Sequence, residues 1–84
     1  MSALAPVQRE LFVRHARKDG RSVAVLRAIE QGDLCRVDTE VFSADNPGSP
    51  KATTHVFADA RAATVFVTEA VEALMYLGCD VQAE

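Results

Sequence analysis

The sequence predicts an α+β domain: a four-stranded antiparallel meander sheet with one C-terminal helix packed on one face (ββββα). Three observations predict it. Residues 59–78, DARAATVFVTEAVEALMYLG, place apolar side chains at helical spacing between a capping aspartate and a terminating glycine. Upstream, four alternating or β-branched segments are separated by Lys-Asp-Gly, Gln-Gly-Asp and the loop SADNPGSP. Short connections join antiparallel neighbours, which leaves the helix to lie across one face of the sheet.

Taken in order, residues 1–6 read as a flexible tail closed by Pro6, and residues 7–58 as the sheet. In VQRELFVRHA, Val7, Leu11 and Val13 alternate with Gln8, Glu10 and Arg14, while Phe12 falls on the polar side. Asp19-Gly20 suits the positive-φ positions of a hairpin turn. The second strand, SVAVLRAIE, is apolar on both faces, with Val23, Val25 and Ile29 on one and Ala24, Leu26 and Ala28 on the other. After Gln31-Gly32-Asp33, LCRVDTEVF alternates most cleanly: Cys35, Val37, Thr39 and Val41 are expected to face the helix, and Arg36, Asp38 and Glu40 to face outward. Two prolines, a glycine, Asp and Asn make residues 43–50 a loop. KATTHVFA is a fourth strand, with Thr54 and Val56 opposed to Thr53, His55 and Phe57.

The helix follows at once. Asp59 is placed to accept from the free N–H groups of the first turn. Ala63, Phe66, Val67, Ala70, Leu74 and Leu77 form the apolar stripe, and Phe66 reads as core rather than as a ligand wall. Gly78 supplies the left-handed residue that ends the helix. Residues 79–84 read as a short tail, with Val81 tucked against the core.

Eighty-four residues make one small domain with room for one modest core. Hydrophobic (49%) and charged (25%) contents are those of an ordinary globular chain, and no apolar run reaches the ~20 residues of a membrane span. MSALAPVQRE has neither a basic n-region nor an apolar h-region, so a cytoplasmic protein without a signal peptide is expected. Cys35 and Cys79 have no neighbouring ligand pattern, which predicts two thiols, no metal site and no cofactor. The charge is polarised. Residues 1–30 hold six basic side chains (Arg9, Arg14, Arg17, Lys18, Arg21, Arg27) against three acidic ones (Glu10, Asp19, Glu30), and the remaining three basic and nine acidic residues follow.

A sheet covered on one face leaves the other uncovered. The expected register puts Phe12, Ala24, Leu26, Ala28, Leu34 and Phe42 there among charged neighbours, the make-up of an interface. The first functional expectation is therefore a non-catalytic module that self-associates or binds a protein partner through Phe12, Leu26, Arg36 and Phe42. Enzyme signatures are missing: no phosphate loop, no His-Glu-x-x-His, no nucleophile elbow. His15 and His55 read as structural or surface residues of their strands, and Asp38 with Glu40 as a solvated ladder beside Arg36.

The second expectation is single-stranded nucleic acid. The first hairpin gathers Arg14, Arg17, Lys18 and Arg21 as candidate phosphate contacts, and Phe12 is available to stack on a base. The β-β-β-β-α order resembles the nucleic-acid-binding Whirly and PUR-type repeats, which pair their sheets or helices into dimers. That resemblance is one of topology, and no motif of either family carries a residue role onto this chain.

Overall fold

Two glycine turns set the register of the sheet. In the computed structural model, which describes residues 8–84, Asp19 (φ 54°) and Gly20 (φ 77°) are both left-handed, the conformation of a type I′ turn. They join β1 (Gln8–Lys18) to β2 (Arg21–Gln31). Gly32 (φ 60°) opens the two-residue turn into β3 (Leu34–Val41). The proline-rich loop leads to β4 (Lys51–Phe57), then come α1 (Ala60–Tyr76) and a fifth strand, β5 (Asp80–Ala83). The tail expected over residues 1–6, and Val7, lie outside the described residues.

The sheet has the order β4-β3-β2-β1-β5 and is antiparallel throughout. The expected four-strand antiparallel meander with one helix on one face is present, and a short fifth strand extends it where residues 79–84 were expected to form a tail. Its pairing with β1 gives Asp80–Ala83 backbone partners that the short DVQA segment does not announce. Helix α1 is the crossover between the two edges of the sheet. Its 17 residues reach about 26 Å at 1.5 Å per residue. That exceeds the roughly 19 Å covered by four interstrand spacings.

Both helix ends are capped as the sequence predicts. The Asp59 carboxylate accepts from the Ala62 N–H at 2.8 Å. At the other end Gly78 (φ 93°) donates to the Met75 carbonyl at 2.9 Å and Cys79 to that of Leu74 at 3.0 Å, a Schellman arrangement. Lys18 reaches across from β1 and donates through Nζ to the Leu77 carbonyl at 3.0 Å, a cation at the negative end of the helix.

The core lies under α1. Leu26, Ala28, Cys35, Val37, Ala63 and Val67 are buried together, and Phe12, Phe57, Phe66 and Leu74 pack around them half-buried. As expected, Cys35 and Val37 point to the helix. The assignment of Leu26, Ala28 and Phe12 to the uncovered face is overturned. The Gly32-Asp33 turn sets Leu26 opposite Thr39 and Ala28 opposite Val37, so these pairs share the helix side. In β1 an extra residue, Leu11, falls between Glu10 (opposite Ile29) and Phe12 (opposite Ala28). This bulge ends, at Phe12, the stretch of β1 whose even-numbered residues share the face of Ala24, Leu26 and Ala28. The stretch begins at a bulge of β2 nearer the turn, which is what carries Phe12 under the helix. A second shift leaves Val23 as the extra residue of β2, so that Arg17 opposes Ser22.

Candidate functional site

The residues expected to form one interaction surface are divided by the sheet. Phe12 and Leu26 are part of the packing beneath α1, and Leu26 is only 3% exposed. Arg36 is on the open face, where Nε meets Asp38 Oδ1 at 3.1 Å and Nη1 meets Gln31 Oε1 at 2.9 Å. Two of its three guanidinium nitrogens are thus engaged within the chain. Phe42, half-buried, follows β3 and donates its N–H to the Val23 carbonyl at 2.9 Å, which fastens the start of the long loop to the β2 bulge.

The four candidate phosphate contacts also separate. Arg14 shares the helix side with Leu26, its guanidinium 4.9 Å above the Phe12 ring. Lys18 is bound to the helix terminus, as above. Arg17 lies beside His15, with Nη2 and Nδ1 3.3 Å apart. Arg21 has no ion pair or side-chain hydrogen bond among the described residues. It lines an open cleft of ≈ 1060 Å³ with Lys18, Ser22, Val23, Phe42 and Pro47. The structure therefore brings Lys18, Arg21 and Phe42, drawn from the two expected sites, to one place: the gap between the β1–β2 turn and the 43–50 loop.

Next to that cleft is an arrangement that no linear motif announces. His15 is on the open face of β1. Its Nε2 is 2.8 Å from Ser22 Oγ, and its Nδ1 is 2.9 Å from Glu84 Oε1. Pairing of β5 with β1 sets Gln82 opposite His15, and the Glu84 N–H donates to the Val13 carbonyl at 3.1 Å. Strand alternation then returns the Glu84 side chain to the face of His15. A carboxylate only accepts, so the Glu84 contact requires the proton on Nδ1. With neutral imidazole, Nε2 then presents a lone pair, and Ser22 must donate its hydroxyl proton to it. The His15 side chain is 14% exposed, which shields its contact with Ser22, whereas the Glu84 carboxylate is 51% exposed and shares its contact with water.

The other titratable groups weighed from sequence do structural work. His55 packs against Phe66 with the rings tilted by 41° and their centroids 4.8 Å apart. Asp38 binds Arg36 and accepts from Thr54 Oγ1 at 3.1 Å. Cys35 and Cys79 are both free thiols, and burial, with help from the Glu30 carboxylate, pushes the Cys35 thiol above its ordinary range. Among the described residues no cluster of three His, Cys, Asp or Glu side chains is disposed to hold a metal ion. None of the described helices is long and apolar enough to cross a membrane.

No family model matches the chain, and no curated protein or solved structure is significantly similar to it.

Proposed function

We propose that the protein is an interaction module that self-associates, and that its contact surface is the C-terminal part of α1 rather than the open sheet face. The observation that carries this reading is the exposure of three consecutive large apolar residues, Met75 (59%), Tyr76 (92%) and Leu77 (65%). A chain this small has few apolar residues to leave in water, and its buried core contains no aromatic side chain. An apolar group of this kind at a helix end is the composition of an interface centre. A second copy is the occupant because closed symmetric pairing is the commonest way a single chain covers such a patch.

Light scattering at low and high salt tests the reading. A dimer at both salt concentrations that becomes a monomer on Tyr76→Asp is expected. A monomeric wild type, or a dimer indifferent to Tyr76→Asp, contradicts it. A dimer present only at low salt points instead to the basic hairpin pairing with the acidic remainder.

Single-stranded nucleic acid is the second reading. Its support is that Arg21 and Phe42 line one cleft, a guanidinium for a phosphate beside a ring for a base. Arg21→Ala is then expected to weaken oligonucleotide binding and to lower its salt slope by about one unit. An unchanged slope removes this reading.

A further inference from the structure

We propose that Ser22, His15 and Glu84 form a nucleophilic relay that cleaves carboxylic esters through an acyl-serine, with the substrate held in the cleft that Ser22 lines. The inference is independent of self-association and adds a catalytic site where linear motifs predict none.

Three features carry it. The contacts run in the required order, with Ser22 Oγ 2.8 Å from His15 Nε2 and His15 Nδ1 2.9 Å from Glu84 Oε1. That is a nucleophile within reach of a base, and a base oriented by a third group. The proton positions also agree, because Glu84 holds the Nδ1–H tautomer and leaves Nε2 free to take the serine proton. Finally, Ser22 opens onto a cleft of ≈ 1060 Å³ whose wall includes Val23, Phe42 and Pro47. An apolar acyl group fits such a wall, and Arg21, in the same cleft, supplies cationic N–H donors for an oxyanion. Arg17 Nη2, which can only donate, also lies near Nδ1, but at 3.3 Å against 2.9 Å for Glu84, and the Nδ1 proton is assigned to the shorter contact.

The chemistry balances with water as the only co-reactant. Ser22 Oγ bonds to the ester carbonyl carbon while its proton passes to His15 Nε2. The tetrahedral adduct then breaks its bond to the alcohol oxygen, which leaves with the proton from Nε2. Water attacks the acyl-serine and gives one proton to Nε2, the carbonyl–Oγ bond breaks, and that proton returns to Ser22. The products are one carboxylic acid and one alcohol. Ser22 and His15 are the catalytic residues, and Glu84 is a positioning residue.

The test treats the full chain with a fluorophosphonate probe and identifies the adduct by mass spectrometry, alongside hydrolysis of p-nitrophenyl acetate. A single adduct on Ser22 is expected, absent in Ser22→Ala. His15→Asn is expected to slow labelling by on the order of a hundredfold or more. Glu84→Gln is expected to slow it, by up to about 10⁴-fold where the wrong tautomer results, while leaving the thermal midpoint in place. Imidazole ¹⁵N shifts give a readout that a purely structural role of Glu84 does not move: the Nδ1–H tautomer is expected in the wild type and its loss in Glu84→Ala. Circular dichroism confirms that each variant is folded, and His15→Gln replaces His15→Asn if the latter is not. No adduct on Ser22, or labelling equally fast in folded His15 variants, overturns the proposal.

Discussion

The two faces of the sheet differ in what holds them together. Under α1, contact is between aliphatic and aromatic side chains: Leu26, Ala28, Val37 and Cys35 against Ala63 and Val67, with Phe66 5.2 Å from Phe57 by ring centroids. On the open face the side chains are joined by directional polar contacts, with Arg36 on Asp38, Thr54 on Asp38, and His15 between Ser22 and Glu84. Burial stabilises in proportion to area and tolerates approximate geometry, whereas hydrogen bonds hold particular atoms at particular distances. The covered face thus holds the larger packed cluster, while the open face buries a smaller apolar pair, Val13 and Ile29, beneath its polar contacts and offers the positioned groups that chemistry needs.

Substitutions that exchange the character of the faces break this comparison most sharply. Leu26→Asp puts a carboxylate into the core, where the one nearby cation, Arg14 opposite on β1, only partly offsets its desolvation, and a loss of about 4 kcal/mol is expected. Against a total stability of about 5–15 kcal/mol, the chain should lose a large part of its stability, which unfolding followed by far-UV circular dichroism reads directly. Phe66→Ala removes the ring packed on His55 and Phe57. Because Phe66 is only half-buried, about 2 kcal/mol is expected in urea unfolding, below the usual cost of deleting a core phenylalanine.

Much of this comparison is legible in the sequence, and the failures have definite causes. The helix, its Asp59 cap, its Gly78 terminator and both glycine turns follow from local chemistry, and the alternation of β3 is enough to turn Cys35 and Val37 to the helix. The two-residue turn at Gly32-Asp33 also contains the information that places Leu26 beneath α1, because it fixes even-numbered β2 residues opposite odd-numbered β3 residues. Reading each strand's alternation separately discards that link. Phe12 is a different case. Its face depends on the Val23 bulge of β2, which shifts Phe12 from Arg27 to Ala28, and bulges are set by twist and long-range packing rather than by the alternation within QRELF.

The candidate site was less legible still. Ser22 and His15 flank the Asp-Gly turn, so a hairpin brings them near each other, but Glu84 joins only because β5 pairs with β1. With the last six residues read as a tail, the relay has no carboxylate. The apolar end of α1 was partly visible: Met75 and Tyr76 lie off the buried stripe, while Leu77 falls on the stripe by spacing and is exposed because the helix stops there.

Smaller effects sharpen the same contrast. Asp59→Ala leaves the first-turn N–H groups of α1 without their side-chain acceptor, and about 1 kcal/mol should be lost in thermal unfolding. Arg36→Ala on the open face breaks a pair that is partly solvated, and no more than about 0.5 kcal/mol is expected. The thiols separate by reactivity. Cys35, with its raised pKa, stays protonated in the fold while the unfolded chain ionises. Stability should therefore fall as pH rises above about 8.5, the ordinary thiol value, and native alkylation should modify Cys79 before Cys35.

Neighbouring residues of one strand offer the most direct test of the division between the faces. Val25 is half-buried on the open side and Leu26 is buried under α1, so Val25→Ala and Leu26→Ala sample the two faces from adjacent positions. Urea unfolding of the two variants should show a loss of about 3 kcal/mol for Leu26→Ala and about 1 kcal/mol or less for Val25→Ala, with unchanged m-values. Equal losses, or a larger loss at Val25, would mean that the core lies on the other side of the sheet.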